Sequence, residues 1–489
     1  MSATIVLLII ILYFSFLFTI SYFTSRKADS NAYFIGNKQS PWYAVAFGLI
    51  GDSLSGVTFV SVPGAVAASQ FSYMQIVFGY IVGYLVIAQV LLPLYYKMNL
   101  TSIYSYLGER LGKVSQMTGS FYFILSRMIG AAFRLYISAT VLQIFIFDAW
   151  NIPFGFTVSI TIILILLYTY KGGIKTLVWT DTLQSSFLLM GVILSIVAIA
   201  SALDLSVNDL ISTVHNSPYS KIFFWDWQAK NYFWKQFFSG ALIAIVMTGL
   251  DQNMMQKNLS MRTLPEAQKN IRWFSIVLVF INLLFVSLGV LLYTYADAQG
   301  ISLPEKSDHL FPMLALNHLG DFAAIVFILG ITAATFSSAD SVLTTLTTSF
   351  CIDMLGMETK NNIDAQGNKR TRHIVHVAFA VLLFITIIVF EKINNDTVIG
   401  AVFTVAGYTY GPLLGLFAFG ILTKRNVVNG LVPVACILPP LFCYYLNKYS
   451  QDWFGGYQVG YELLFVNGLL TFILLLFISK TSSIKLQTV

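Results

Sequence analysis

Ser337, Ser338 and Ser341 stand at i, i+1 and i+4 inside an apolar stretch, ITAATFSSADSVLTTLTTS, with Asp340 among them. On a helix Ser337 and Ser341 share a face, and Asp340 lies three residues from Ser337. Hydroxyls beside a carboxylate are hard oxygen donors, which suit a small cation such as Na+, with fewer charges than a divalent site carries. Back-bonding to the preceding turn explains single Thr residues in a packed helix. It explains Ser-Ser-x-Asp-Ser poorly. Two more apolar stretches are interrupted by polar groups. AVAFGLIGDSLSGVTFVSVPG sets Gly48, Gly51 and Gly56 around Asp52, Ser53 and Ser55. That pattern suits a helix that unwinds and lines a cavity, with freed carbonyls available to a cation. The competing reading is a small-residue packing face with an interfacial Asp. SGALIAIVMTGLDQNMMQKNLS is interrupted at Thr248, Gly249, Asp251, Gln252 and Asn253. There the competing reading is a helix that has ended, with these residues facing water.

The elements that carry these groups are bilayer-spanning helices. The 489 residues are 57% hydrophobic and 10% charged, against about 25% charged in a soluble domain. So apolar a chain has no polar surface to offer water, which makes it an all-α integral membrane protein. Apolar stretches of spanning length fall at 4–23, 43–65, 73–96, 118–147, 153–170, 177–202, 235–257, 271–295, 322–350, 373–391, 396–421, 427–446 and 459–479. Thirteen spans put the termini on opposite sides. Twenty of the 28 Lys and Arg fall in alternate connections, Lys257 among them. Basic connections stay cytoplasmic, so the N-terminus is expected outside and the C-terminus inside. Residues 3–23 are read as a span, because no small-residue cleavage site follows them.

The second and seventh spans carry the breaks, five helices apart. Corresponding breaks in two halves point to an inverted-repeat transporter. A single transmembrane domain over 1–489 is expected, with five-helix repeats at 43–202 and 235–421. Helix 4–23 and the helices of 427–479 would be peripheral. Cys351, Cys436 and Cys443 have no paired spacing, so neither a disulfide framework nor a metal site is expected. His215, His309, His318, His373 and His376 fall in loops or at segment ends, which argues against an intramembrane enzyme. The scattered net charge of +6 is no nucleic-acid signal, and no protein partner is implied. A fused sensor kinase is disfavoured, because no such domain follows residue 480.

At the fifth-to-sixth junction the chain reads YTYKGGIKTLVWTDTLQSSFLLMG. Gly-Gly-x-Lys followed by Trp-Thr-Asp-x-x-Gln resembles the sodium:solute symporter family. The broken second segment with its Pro-Gly, GLDQNMMQ in the seventh and Ser-Ser in the ninth fit it in the same order, over roughly 5–480. The resemblance implies a five-plus-five inverted-repeat fold of the leucine-transporter kind. It also implies Na+-driven uptake of a small polar solute, with a sugar or a sugar acid such as sialic acid preferred. A proton-driven carrier, or a symporter of an amino acid or carboxylate, is the alternative. By the family's pattern the main Na+ site falls on Gly51, Leu54, Ala334, Ser337 and Ser338. A second cation site, present in some members, falls on Asp181, Ser337, Asp340 and Ser341. Asp340 replaces the usual hydroxyl, so it either strengthens that site or binds a proton. Solute candidates are Ser53, Ser55, Thr58, Gln75, Arg127 and Arg134, since an arginine of this helix grips the carboxylate in sialic-acid members. Tyr408 and Tyr410 in VAGYTYGPLLG lie on the outer-gate helix. A bacterial inner membrane is the expected location.

Overall fold

The computed structural model describes residues 3–25, 36–357, 366–393 and 398–480. Four of the twenty Lys and Arg in the alternate connections, Arg26, Lys27, Lys360 and Lys485, lie outside the described residues. Among the described residues, eight helices are long and apolar enough to cross a bilayer, three bent pairs do so as pairs, and two shorter apolar helices complete the set. In chain order they are α1 (Ala3–Ser25), α2 (Trp42–Ser53 with Gly56–Gly64), α3 (Val66–Lys97), α4 (Lys113–Leu142), α5 (Phe154–Leu167) and α6 (Thr176–Ala202). Then come α7 (Phe233–Gly249 with Gln252–Leu259), α8 (Leu264–Ala298), α9 (Gly320–Met354), α10 (Arg370–Lys392), α11 (Gly400–Thr409 with Gly411–Leu422), α12 (Asn429–Trp453) and α13 (Leu463–Phe477). One element answers each expected span. Helical geometry runs unbroken from Phe154 to Ala202. At 1.5 Å per residue that is roughly 70 Å, over twice a bilayer core, so the stretch carries two spans.

The breaks have local causes. In α2 the two halves meet at 53°, where Leu54 (φ −101°, ψ 71°) and Ser55 (φ −71°, ψ 176°) leave helical geometry. In α7 a π-helical turn over Ile245–Gly249 leads to a 62° bend. Asp251 then caps the second half, its carboxylate accepting the Met254 N–H at 3.2 Å. Asp251, Gln252 and Asn253 are buried, so the helix has not ended into water. A third bend, 44° in α11, was not anticipated. It falls at Tyr410-Gly411-Pro412, where proline supplies no N–H and clashes with the preceding turn. Gly411 is required there, because any Cβ would overlap the Asn467 side chain of α13.

α9 is the central column: 83% of its apolar window is buried, against 22% for α1 and 33% for α12. α3 and α7 approach backbone to backbone through Gly79, Gly83 and Gly240, where a Cβ would run into carbonyls of the facing helix. Small residues allow such approach where lipid offers no hydrophobic drive between helices. The connections sort into two ends. At one, Lys38 meets Asn99, Arg110 reaches the Thr423 carbonyl at 2.6 Å, and Asn426–Val427 pairs with Ser479–Lys480. At the other, Phe71 N–H donates to the Lys221 carbonyl at 3.1 Å, Gln458 N–H to Gln228 at 3.2 Å, and Lys235 Nζ to Gln458 at 3.3 Å. The connections richer in Lys and Arg and those poorer in them thus gather at opposite ends.

Candidate ion and solute site

The broken helix and the serine helix are in direct contact. A Cβ on Gly51 would lie 3.0 Å from Ser337 Oγ and 2.5 Å from Ser185 Oγ, so glycine permits the approach. Gly51 N–H donates to Ser185 Oγ at 2.9 Å. Ser185, one turn beyond Asp181 in the same Thr-Asp-Thr-Leu-Gln-Ser-Ser run, was missed in the sequence because spacing alone does not show that it faces Gly51. The α2 break leaves carbonyls of its last turn, those of Gly51 and Leu54 among them, without the next turn of the ladder. On α9, Ser338 Oγ donates back to the Ala334 carbonyl at 3.2 Å, and Ser337 Oγ donates to Asp181 Oδ1 at 3.2 Å. The five residues expected around the main Na+ site therefore sit on two helices in contact at Gly51 and Ser337.

Beside them lies a cation that belongs to the chain. Lys257, expected in a cytoplasmic connection, is instead buried on the second half of α7. Its Nζ is ion-paired with Asp52 of α2 and with Asp181 of α6, and it donates to Ser341 Oγ of α9 at 2.8 Å. Ser341 Oγ in turn donates to Asp340 Oδ1 at 3.2 Å. The groups expected to hold a second cation thus converge, with an ammonium in their midst. The lysine escaped the sequence reading because a charge closing a span normally marks the bilayer surface. Its partners lie on three other helices.

On the other side of the α2 break is a cavity. Ser53, Ser55 and Thr58 line it, as do Arg127 and Arg134 of α4, Tyr73, Tyr80 and Tyr84 of α3, Thr248, Asn282 and Phe403. The two arginines differ. Arg127 is ion-paired with Asp251 and donates to the Met247 carbonyl at 3.2 Å. Arg134 donates to the Asp52 carbonyl at 3.3 Å and has no carboxylate partner among the described residues. Two buried acceptors, Asp52 Oδ1 and Asn282 Oδ1, have no hydrogen-bond partner among the described residues. Arg134, Asp52 and Asn282 all border the cavity, so a guanidinium without a carboxylate and two acceptors without donors lie beside it, where buried polar groups are otherwise satisfied.

Gln75, expected at the solute, and Tyr408 and Tyr410, expected at the gate, do not line this cavity. Gln75 spends its amide at the α6–α7 connection: Nε2 donates to the Asn231 carbonyl at 2.9 Å and to Gln236 Oε1 at 3.1 Å, and Oε1 accepts the Phe224 N–H at 3.2 Å. Tyr408 turns to α12, where Asn447 Nδ2 donates to its hydroxyl at 3.0 Å. Tyr410 is buried at the α11 bend, its hydroxyl donating to Asp251 Oδ2 at 2.6 Å. Side-chain direction around a helix decided all three. A neighbouring cavity, lined by Gln70, Ser72 and Tyr461, shares Tyr73 and Phe403 with the central one. These two rings stack with centroids 6.5 Å apart and planes at 25°, forming a partition the sequence did not reveal.

Comparison with known proteins places this architecture. Residues 33–433 match the sodium:solute symporter family. The sodium/sialic acid symporter NanT of Aliivibrio fischeri is 25% identical, over 83% of this chain and 81% of the relative. SiaT of Proteus mirabilis, also a sodium/sialic acid symporter, is 23% identical over 90% and 89%. The human sodium-coupled monocarboxylate transporter 1 is 26% identical over 83% and 67%. Among solved structures, a substrate-bound, outward-open Na+-coupled sialic acid symporter superposes with a TM-score of 0.84 at 19% identity, covering 98% of this chain and 99% of that one. The nucleobase-cation-symport-1 transporter Mhp1 gives 0.52 at 13%, covering 91% and 94%. These likenesses show the fold, an all-α membrane bundle with the inverted-repeat core of the leucine-transporter kind. The chain belongs to the sodium:solute symporter family, a multi-pass membrane transporter coupling Na+ to the movement of a small solute rather than an enzyme.

Proposed function

We propose that this chain imports a small polyhydroxylated carboxylate, a sugar acid such as sialic acid, with Na+ bound at Gly51, Leu54, Ala334, Ser337 and Ser338. The observation that carries this reading is the cavity's polar set. Arg134 offers a guanidinium fork matched to a carboxylate. Asp52 Oδ1 and Asn282 Oδ1 accept from solute hydroxyls, and Ser53, Ser55, Thr58 and Thr248 supply further hydroxyls. The sodium/sialic acid symporters among the relatives support the same class.

Na+ arriving from outside joins the freed α2 carbonyls to the α9 hydroxyls and fixes the α2 break, whose next residues line the solute cavity. Ion and solute then favour the same arrangement of α2, and that shared preference is the coupling. The Tyr73–Phe403 partition, in place of Tyr408 and Tyr410, separates the cavity from the outside. The five-helix repeats are 43–202 and 235–421, with 4–23 and 427–479 peripheral, in a bacterial inner membrane with the N-terminus outside. Three of the four carboxylates a proton-driven carrier could use are paired, Asp52 and Asp181 with Lys257 and Asp251 with Arg127, which disfavours that alternative at them and leaves Asp340, which accepts from Ser341. The test is uptake into proteoliposomes of sialic acids, neutral sugars and amino acids, with Na+ replaced by choline at constant pH. Acid-sugar uptake that vanishes in choline supports the reading, and Na+-independent uptake overturns it.

A further inference from the structure

We propose that the Lys257 ammonium is a built-in cation filling the position where some sodium:solute symporters hold a second Na+, so that this chain carries one Na+ per solute. The inference rests on the main Na+ site proposed above and adds its stoichiometry.

The geometry supports it donor by donor. An ammonium has three N–H groups, and Lys257 Nζ finds three acceptors: Asp52 Oδ2, Asp181 Oδ2 and Ser341 Oγ. They come from α2, α6 and α9, so the lysine side chain joins α7 to three other helices at one point. The second oxygen of Asp181 and the hydroxyl proton of Ser341 are also engaged, while Asp52 Oδ1 has no partner among the described residues. Asp181 Oδ1 accepts from Ser337 Oγ at 3.2 Å, and Ser341 Oγ donates to Asp340 Oδ1 at 3.2 Å. A Na+ ion entering here would have to displace the ammonium from its oxygens. Close to Asp52 and Asp181 the ammonium repels a second monovalent cation across a low-dielectric core, with the Asp340 carboxylate, hydrogen-bonded to Ser341, as the remaining negative charge. The site is buried: Lys257 is 1% exposed, Asp181 and Ser341 0%, and Asp52 2%. The lysine therefore cannot reach water without moving the second half of α7.

The lysine also constrains the cycle. A Na+ ion leaves its site on every turnover, whereas a tethered ammonium stays. The contact among α2, α6, α7 and α9 then needs no ion from solution, and only the Gly51–Ser337 junction responds to external Na+.

The experiment is dual-label flux in proteoliposomes, with radiolabelled Na+ and radiolabelled N-acetylneuraminate as the probe solute. Wild type is expected to move about one Na+ per solute, with a Hill coefficient for Na+ near 1. Lys257→Met keeps the apolar stem and removes the charge, leaving Asp52, Asp181 and Ser341 to an incoming ion. Its ratio and Hill coefficient should both rise towards about 2. Lys257→Arg keeps the charge and should keep the ratio near one. A wild-type ratio of two overturns this inference and leaves the proposed function standing, as does a Lys257→Met protein whose Na+ dependence and ratio are unchanged. Wild-type uptake with no Na+ requirement overturns both. Should Lys257→Met not fold, the wild-type ratio and Lys257→Arg decide the matter: a ratio near one in both supports the inference, and any higher ratio overturns it.

Discussion

Replacing Arg134 by Gln should remove solute binding and spare the fold, whereas replacing Arg127 by Gln should do the reverse. The difference follows from their partners. Arg127 is 5% exposed and neutralises Asp251, which also accepts from Tyr410 at 2.6 Å and from the Met254 N–H at 3.2 Å. Arg127→Gln leaves that carboxylate buried without a counter-charge, a loss of about 3–5 kcal/mol for a broken buried pair. Arg134 gives up a single long hydrogen bond of 3.3 Å to a backbone carbonyl, so Arg134→Gln should cost the apoprotein about 1.5 kcal/mol, the low end for a bond made by a charged group. Its loss to a bound carboxylate is about 2–5 kcal/mol, a fall in affinity of roughly 30- to several-thousand-fold at about 1.4 kcal/mol per decade. Thermal unfolding of the purified variants gives the first quantity, and titration with N-acetylneuraminate at saturating Na+ gives the second. The reasoning is refuted if Arg134→Gln binds the acid as wild type does, or if the two variants lose equal stability.

Ser337→Ala combined with Ser338→Ala removes both hydroxyls of the main Na+ site and should abolish Na+-driven uptake, read as the difference between Na+ and choline. Tyr73→Ala or Phe403→Ala opens the partition between the two cavities and should speed solute release, measured by stopped-flow dissociation. Asp353 accepts from Ser102 Oγ at 2.8 Å, Gln116 Nε2 at 2.8 Å and Ser349 Oγ at 2.7 Å, joining α4, α9 and the α3–α4 connection. Asp353→Asn loses at least one charge-assisted bond, worth about 1.5–3 kcal/mol. Amide exchange should therefore rise in residues 99–116 and in the last turn of α9.

The membrane class, the spans and two of the three breaks were legible because lipid penalises misplaced polar groups. Glycines, an aspartate and serines inside an apolar run need a structural reason, and the reason leaves a pattern. The α11 bend left one too, in Gly411-Pro412, which reads as a turn when taken alone. What could not be read was direction. Gln75 and Tyr408 occupy the expected helices and face elsewhere, because sequence spacing defines a helix face but not what packs against it. Lys257 was the largest loss. Charge rules assign such a lysine to the membrane surface, and the three groups that hold it come from positions 52, 181 and 341.

Lys257 and Arg134 together fix how voltage acts on transport. If the ammonium holds the second cation position, one Na+ accompanies one carboxylate and a complete cycle moves no net charge. Lys257 and Arg134 remain with the protein and return at the end of each turnover, so they add nothing to the balance. Two Na+ per carboxylate would move one net charge, worth about 2.3 kcal/mol per 100 mV, or roughly 50-fold extra accumulation. An inside-negative potential set by a K+ diffusion gradient should therefore leave steady-state accumulation of N-acetylneuraminate unchanged at a fixed Na+ gradient. In Lys257→Met, with a second Na+ admitted, the same potential should raise it, up to roughly 50-fold per 100 mV. Voltage-driven accumulation of the acid by wild type would show that a second charge crosses with it, and Lys257 would then be a structural tether rather than a substitute for sodium.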